Sequence, residues 1–225
     1  MKFLTGLVLA TVCFTSAFAQ AGVVVGGTRL IYDASKKESS LSVNNPDNVP
    51  YLIQTWVETT AGGAEKAPFI VTPPLFRLDG GQNNVLRVVR AGGNLPSNQE
   101  SLYWLNIKAI PSGDGKTTQN TLQIAVKSRI KLIFRPQGLT GVPEDVAGQL
   151  SWKRSGSSVL VTNPTPFYMN FMEVSVGGKP LKDATFVAPL SHANFKLPAG
   201  VNSGAVSWKV ISDYGAIGPE HKGTM

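Results

Sequence analysis

Few side chains in this sequence could make or break covalent bonds or hold a metal ion. His192 and His221 are its only histidines and Cys13 is its only cysteine. No G-x-S-x-G elbow, phosphate-cradling P-loop or dinucleotide glycine fingerprint occurs. A lone histidine among serines lacks the partners of a catalytic triad, and no cluster of His and Cys offers transition-metal ligands. The sequence therefore predicts no catalytic residue, no metal site and no cofactor. What it does offer is backbone that can pair. From Thr121 to Arg135, apolar side chains fall at Leu122, Ile124, Val126, Ile130, Leu132 and Phe134, all of one parity. A period of two puts them on one face of a strand. As a single strand these fifteen residues would span roughly 50 Å, whereas strands usually run to about five or six residues. Two uses fit such a strand. Its whole face could lie in the core of a long hairpin, or its edge could be offered to a partner. In the second case main-chain hydrogen bonds would supply affinity and alternate side chains would fill the partner's pockets.

The elements that must position this strand read as β throughout. Charged residues make up 16% of the 225-residue chain and apolar ones 42%, so the chain can bury a real core. Its 23 glycines and 15 prolines punctuate short apolar runs, which favours strands and turns over long helices. Strands are predicted at Val23–Val25, Arg29–Tyr32, Leu41–Val43, Pro50–Glu58, Phe69–Val71, Asn84–Arg90 and Leu102–Ile110. Val23 onward reads as an ordinary first strand. Pro136 to Pro143 is a Pro/Gly-rich connection, after which strand signals resume at Gln149–Trp152, Ser158–Thr162, Tyr168–Val176, Phe195–Leu197 and Ala205–Ile211. Spacing of this kind argues for antiparallel sandwiches. No sequence repeat links the two halves. His192 reads as an exposed turn residue.

Residues 1–19 carry the marks of an export signal: Lys2, an uncharged stretch from Leu4 to Ala17, and Ala17-Phe18-Ala19 as the cleavage site. With that segment removed the chain has no cysteine, so burial alone must hold it together. The net charge of +7 is scattered, with no basic run longer than two residues. That excludes the clustered footprint of a nucleic-acid binder. Outside the signal, no run approaches the roughly 20 apolar residues of a membrane-spanning helix.

One stretch is more specific than any pattern. The run Leu95-Pro96-Ser97-Asn98-Gln99-Glu100-Ser101-Leu102-Tyr103-Trp104-Leu105-Asn106-Ile107-Lys108-Ala109-Ile110-Pro111 resembles the signature of periplasmic pilus (fimbrial) chaperones of the chaperone–usher pathway, the PapD-like family. Thr28-Arg29, Thr72-Pro73-Pro74, Ile130-Lys131-Leu132 before Arg135-Pro136, Asn163-Pro164-Thr165-Pro166 and Ser212-Asp213-Tyr214-Gly215 extend the resemblance over essentially the whole exported chain. The short Ser112 to Asn120 loop resembles the short-loop branch. The missing second-domain disulfide departs from some members.

The resemblance implies an all-β protein of two immunoglobulin-like β-sandwich domains arranged in an L. Residues 20–139 would form the first, 140–144 a linker and 145–225 the second. It implies that Arg29 and Lys131 anchor a client subunit's terminal carboxylate. Leu122, Ile124 and Val126 would be the donor residues that complete the client's unfinished sandwich, and Glu100, Arg135 and Asp213 a structural charge cluster between domains. The implied partners are pilus subunits, tip adhesin included, and the outer-membrane usher, all met in the periplasm without enzymatic activity, nucleic acid or membrane insertion. Self-association of the free protein through its edge is left open. Whether Pro73-Pro74 contains a cis bond is left open. The competing reading is a structural protein, a pilus subunit or surface adhesin of immunoglobulin-like domains, which would need its own N-terminal donor extension.

Overall fold

Alternating burial organises the first half into two facing sheets. The computed structural model describes residues 22–62, 65–113 and 123–225. Its first strands are β1 (Val24–Val25), β2 (Arg29–Asp33), β3 (Glu38–Asn44), β4 (Tyr51–Thr59), β5 (Phe69–Thr72), β6 (Leu75–Leu78), β7 (Asn83–Arg90), β8 (Ser101–Pro111) and β9 (Val126–Arg135). One sheet runs β1-β3-β7-β5 and the other β2-β9-β8-β4-β6. Val43, Leu86 and Val88 from the first sheet meet Ile53, Leu105, Ile107, Leu132 and Phe134 from the second in one buried cluster. Their neighbours along each strand turn to the opposite face of the sheet, as the pleat requires.

The second half repeats the plan at smaller scale. Its strands are β10 (Ser151–Ser155), β11 (Ser158–Asn163), β12 (Met169–Val176), β13 (Lys179–Pro180), β14 (Phe186–Val187), β15 (Ser191–Lys196), β16 (Ala205–Ile211) and β17 (Ile217–Thr224). They form the sheets β10-β11-β15 and β13-β12-β16-β17, with β14 also paired to β12. Trp152, Val161, Met169, Phe171, Phe195 and Trp208 centre the core between them. The buried Trp208 ring donates its N–H to the Ala147 carbonyl at 3.1 Å, so its one polar atom is satisfied.

Several sequence expectations change. The two strands expected at the N-terminus form, but in different sheets, because the chain crosses between them: β1 pairs with β3, and β2 pairs in parallel with β9. The crossing occurs at Gly26, where any Cβ would collide with the Ser42 side chain. The long strand starts at Val126, and Gln123 to Ala125 lie outside it. The register explains the stop. Val126 faces Ala109, so two residues earlier the strand would face Pro111, which has no N–H to donate. Leu122 and the 1–19 segment lie outside the described residues. A helical turn, α1 (Pro143–Val146), opened by Pro143, begins within the segment read as a linker. His192 lies in strand β15, exposed. The cis bond is Thr72-Pro73.

The halves also share a buried turn that the sequence comparison missed. Asn45 and Asn163, both 0% exposed, each sit before a proline where a strand ends. The Asn45 amide donates to the carbonyls of Val49 and Leu78 and accepts from the Asp47 N–H. The Asn163 amide donates to Phe167 and Ala188 and accepts from the Thr165 N–H. Removing one such amide takes the donor from two carbonyls, one of them in a buried contact. Asn163→Ala should therefore lower unfolding free energy in urea by about 3 kcal/mol; a loss below about 1 kcal/mol would contradict this role.

Candidate functional site

The edge of β9 is covered over half its length. On one side β8 pairs with it from Val126 through Phe134. On the other side β2 pairs only with Lys131 to Arg135. Among the described residues, nothing pairs with Val126 to Ile130 on that side. The apolar face splits at the same place. Leu132 and Phe134 are buried in the sandwich, whereas Ile124 and Val126 are 66% and 59% exposed. Beneath these two lies a groove lined by Val23, Val25, Tyr51, Ile107 and Ala109. An unprotected edge with bare alternate apolar side chains is what most folds blunt.

Arg29 and Lys131 mark the border. Arg29 opens β2 and is directly opposite Lys131 on β9. Neither makes an ion pair among the described residues. The Arg29 guanidinium donates to the Ile211 carbonyl at 3.3 Å, and its buried Nε has no partner. Burial lowers its pKa, with Asp213 and Glu144 pulling back at longer range. The Lys131 ammonium donates to Asn170 Oδ1 at 2.5 Å and lies 4.6 Å from the centroid of the Phe186 ring. Burial, with the Arg29 charge adding to it, brings its pKa down to about 8. Two cations held together without an anion raise each other's cost, and a carboxylate arriving between them would lower it.

Four residues along, Arg135 ties the domains together. Its guanidinium donates to Glu100 at 2.8 Å and to both Asp213 oxygens, at 2.6 and 2.9 Å. Glu100 is buried, and its other oxygen accepts the Tyr168 N–H at 2.7 Å. The Glu100 N–H in turn donates to the Pro166 carbonyl. Burial pushes the Glu100 carboxyl up, with Arg135 opposing. For Arg135 burial would lower the pKa, but its hydrogen bonds to Asp213 and the charge of Glu100 raise it beyond the ordinary arginine value. Close packing continues at Gly215 (φ +83°), where a Cβ would lie 2.7 Å from Thr28 Oγ1.

The structure thus brings Arg29 to Lys131 and joins Glu100, Arg135 and Asp213, with Val126 on the open edge and Ile124 exposed just before it. It also adds residues that sequence reasoning missed. Asn170 and Phe186 come from the second domain and face Lys131, a contact that exists only once the domains have docked. Lys127 and Arg129 lie over the rings of Trp56 and Trp104, at 5.4 and 4.4 Å. Opposite parity to the apolar face was the available signal for those two. Among the described residues, no group of His, Cys, Asp and Glu could hold a metal ion, and no helix is long and apolar enough to cross a membrane.

Known proteins resemble this chain in sequence and fold. The family model described as the PapD N-terminal domain of pili and flagellar-assembly chaperones matches residues 22–140, and that of the PapD C-terminal domain of pili assembly chaperones matches residues 145–222. The chaperone protein FimC of Escherichia coli strain K12 is 44% identical over 225 residues, covering 99% of this chain and 92% of FimC. The chaperone protein LpfB of Salmonella typhimurium is 41% identical over 218 residues, covering 95% and 93%. The solved complex of the Salmonella enterica SafA pilin with the SafB chaperone matches at a TM-score of 0.85 and 40% identity, over 93% of this chain and 99% of that one. These relatives are chaperones, not enzymes, and the two-sandwich fold read from the sequence is theirs. The chain belongs to the PapD-like family of pilus-assembly chaperones.

Proposed function

We propose that this chaperone works in the periplasm, capturing pilus subunits, tip adhesin included, by strand addition at the open half of β9, and delivers them to the outer-membrane usher. The observation that carries this is the coincidence of two borders: the free edge ends where Arg29 faces Lys131. A client strand laid along Val126 to Ile130 cannot continue past that point without meeting β2. It must stop there, and a chain end carries a carboxylate. With its C-terminus against Arg29, the client strand runs in the same direction as β2, hence parallel to β9. The two cations would take the carboxylate in charge-assisted hydrogen bonds, about twice as strong as neutral ones. Leu122, Ile124 and Val126 would meanwhile enter the client's unfinished core. The SafA–SafB complex supports a pilin as the client class.

Co-expression with a pilin encoded beside it, followed by purification and light scattering, tests this reading. A one-to-one complex is the expected product; absence of any complex, or a polymer containing this chain, would contradict it. Ile124→Asp should reduce complex yield at least tenfold, because a carboxylate entering an apolar groove costs several kcal/mol. A yield equal to wild type would remove Ile124 from the client contact.

A further inference from the structure

The wall of the cleft that faces Lys131 is built by the second domain, and its groups are neutral. Asn170 lies on β12 between Met169 and Phe171, both of which point into the domain core. Alternation therefore turns Asn170 to the opposite face, where it is 2% exposed and meets Lys131. Its cross-strand partner is Phe186 on β14. The amide is oriented: Nδ2 donates to the Tyr168 carbonyl at 3.4 Å, which leaves Oδ1 to accept from the ammonium. The Phe186 ring supplies a π face to the same ammonium, and the Tyr168 ring packs against Phe186 at 5.9 Å between centroids. One pair of strand neighbours thus gives Lys131 a dipole and a quadrupole, but no charge.

The residue type at position 170 decides what an empty cleft can do. A carboxylate there would close an ion pair inside the protein and leave Lys131 nothing to offer a client. An apolar side chain would leave a buried ammonium beside Arg29 with no acceptor, and the lysine would shed its proton. An amide lies between the two. It holds the ammonium in place as a charged group, yet binds it less strongly than a carboxylate can. The charged group acting on Lys131 is Arg29 on β2; its neighbours Trp104 on β8, Asn170 on β12 and Phe186 on β14 are neutral. The Glu100 and Asp213 carboxylates are engaged by Arg135.

We propose that Asn170, with Phe186 beside it, is a positioning residue that occupies the client carboxylate's place on Lys131 in the empty cleft and yields it on capture. The proposal rests on the anchor role assigned to Lys131 above. It makes the second domain a part of the carboxylate site rather than a passive wall.

The test follows Lys131 itself. Carbon-13 labelled lysine allows the Cε resonance of Lys131 to be titrated in the free protein, in wild type, Asn170→Asp and Asn170→Ala. The wild-type midpoint should lie near 8. Asn170→Asp should raise the midpoint by at least one pH unit and reduce yield of the co-expressed pilin complex more than tenfold, because the site is then filled from within. Asn170→Ala should lower the midpoint and reduce capture several-fold at pH 7.5, with the deficit shrinking as pH falls. A purely structural role would give a deficit that does not vary with pH. Should Asn170→Asp fail to fold, the Asn170→Ala titration and its pH profile decide alone. Midpoints unmoved by substitution, or wild-type capture by Asn170→Asp, would overturn the proposal. Failure of the anchor reading looks different: Lys131→Met would then capture normally. If Lys131→Met loses capture while Asn170→Asp keeps it, only the role of Asn170 falls.

Discussion

Lys131→Met is expected to abolish recovery of a chaperone–pilin complex while the isolated protein stays folded. Methionine keeps the aliphatic stem against Phe186 and removes the charge. Truncating one partner of a buried charge-assisted contact costs about 2–5 kcal/mol, or at least roughly thirtyfold in affinity. The fold should tolerate the change, because Lys131 makes no ion pair among the described residues and its pKa is lowered by burial and by Arg29. The sign of the pH dependence follows. In the folded protein the ammonium loses its proton near pH 8, well below the ordinary lysine value. The unfolded chain therefore holds the extra proton between about pH 8 and the ordinary lysine range, and wild-type stability should rise across that window relative to Lys131→Met. Below pH 8 the difference between the two should be flat. Capture moves the other way, since a carboxylate needs the charged form. Wild-type affinity should hold steady below about pH 8 and fall up to tenfold per unit above it. Urea unfolding and complex yield, each measured from pH 6 to 10, check both curves. Wild-type yield from the variant would remove Lys131 from the anchor.

Arg135→Ala should damage the protein more than any other single change considered. Among the described residues, the guanidinium is the only side-chain partner of the Glu100 carboxylate, which is 2% exposed, and it holds Asp213 from the second domain. Removing it leaves a buried negative charge uncompensated, a defect of about 3–5 kcal/mol. Glu100 is already pushed up by burial, and without Arg135 it would take up a proton more readily. The variant should regain part of its lost stability as pH falls through that raised value. Replacing Arg135 together with its more deeply buried partner, as Arg135→Met with Glu100→Gln, removes the stranded charge at Glu100 but leaves Asp213 unpaired, and should restore part of the unfolding free energy. Small-angle scattering would then report whether the domains still hold one orientation. A single variant as stable as wild type, or a double variant no better than the single one, would contradict the structural role of the cluster.

Much of the fold was legible because alternation is a local property. Leu86 and Val88, Leu105 and Ile107, Leu132 and Phe134 declare their faces by spacing alone, and the structure buries them together. Other elements depend on what lies across from them. Ile217 to Thr224 contains Gly218, Pro219 and three titratable residues, a poor strand by composition, yet β16 supplies a ladder and it pairs. The start of β9 was misjudged because its limit is set by Pro111 on a neighbouring strand, not by its own residues. That Val24–Val25 and Arg29–Asp33 join different sheets needed Gly26 to be read as a crossing between them. For the site, the resemblance named Arg29, Lys131, Glu100, Arg135 and Asp213, but nothing in the chain's own periodicity would have picked them out. Asn170 and Phe186 could not be reached by either route, since their relation to Lys131 is made by the docking of two domains.

The most direct measurement is a crystal structure of the one-to-one complex with a pilin. The account predicts the pilin's last strand hydrogen-bonded along Val126 to Ile130, parallel to β9, with its terminal carboxylate within hydrogen-bonding distance of Arg29 and Lys131. Asn170 Oδ1 should by then have given up the ammonium. A pilin strand running antiparallel, or a carboxylate left in solvent away from both cations, would contradict it.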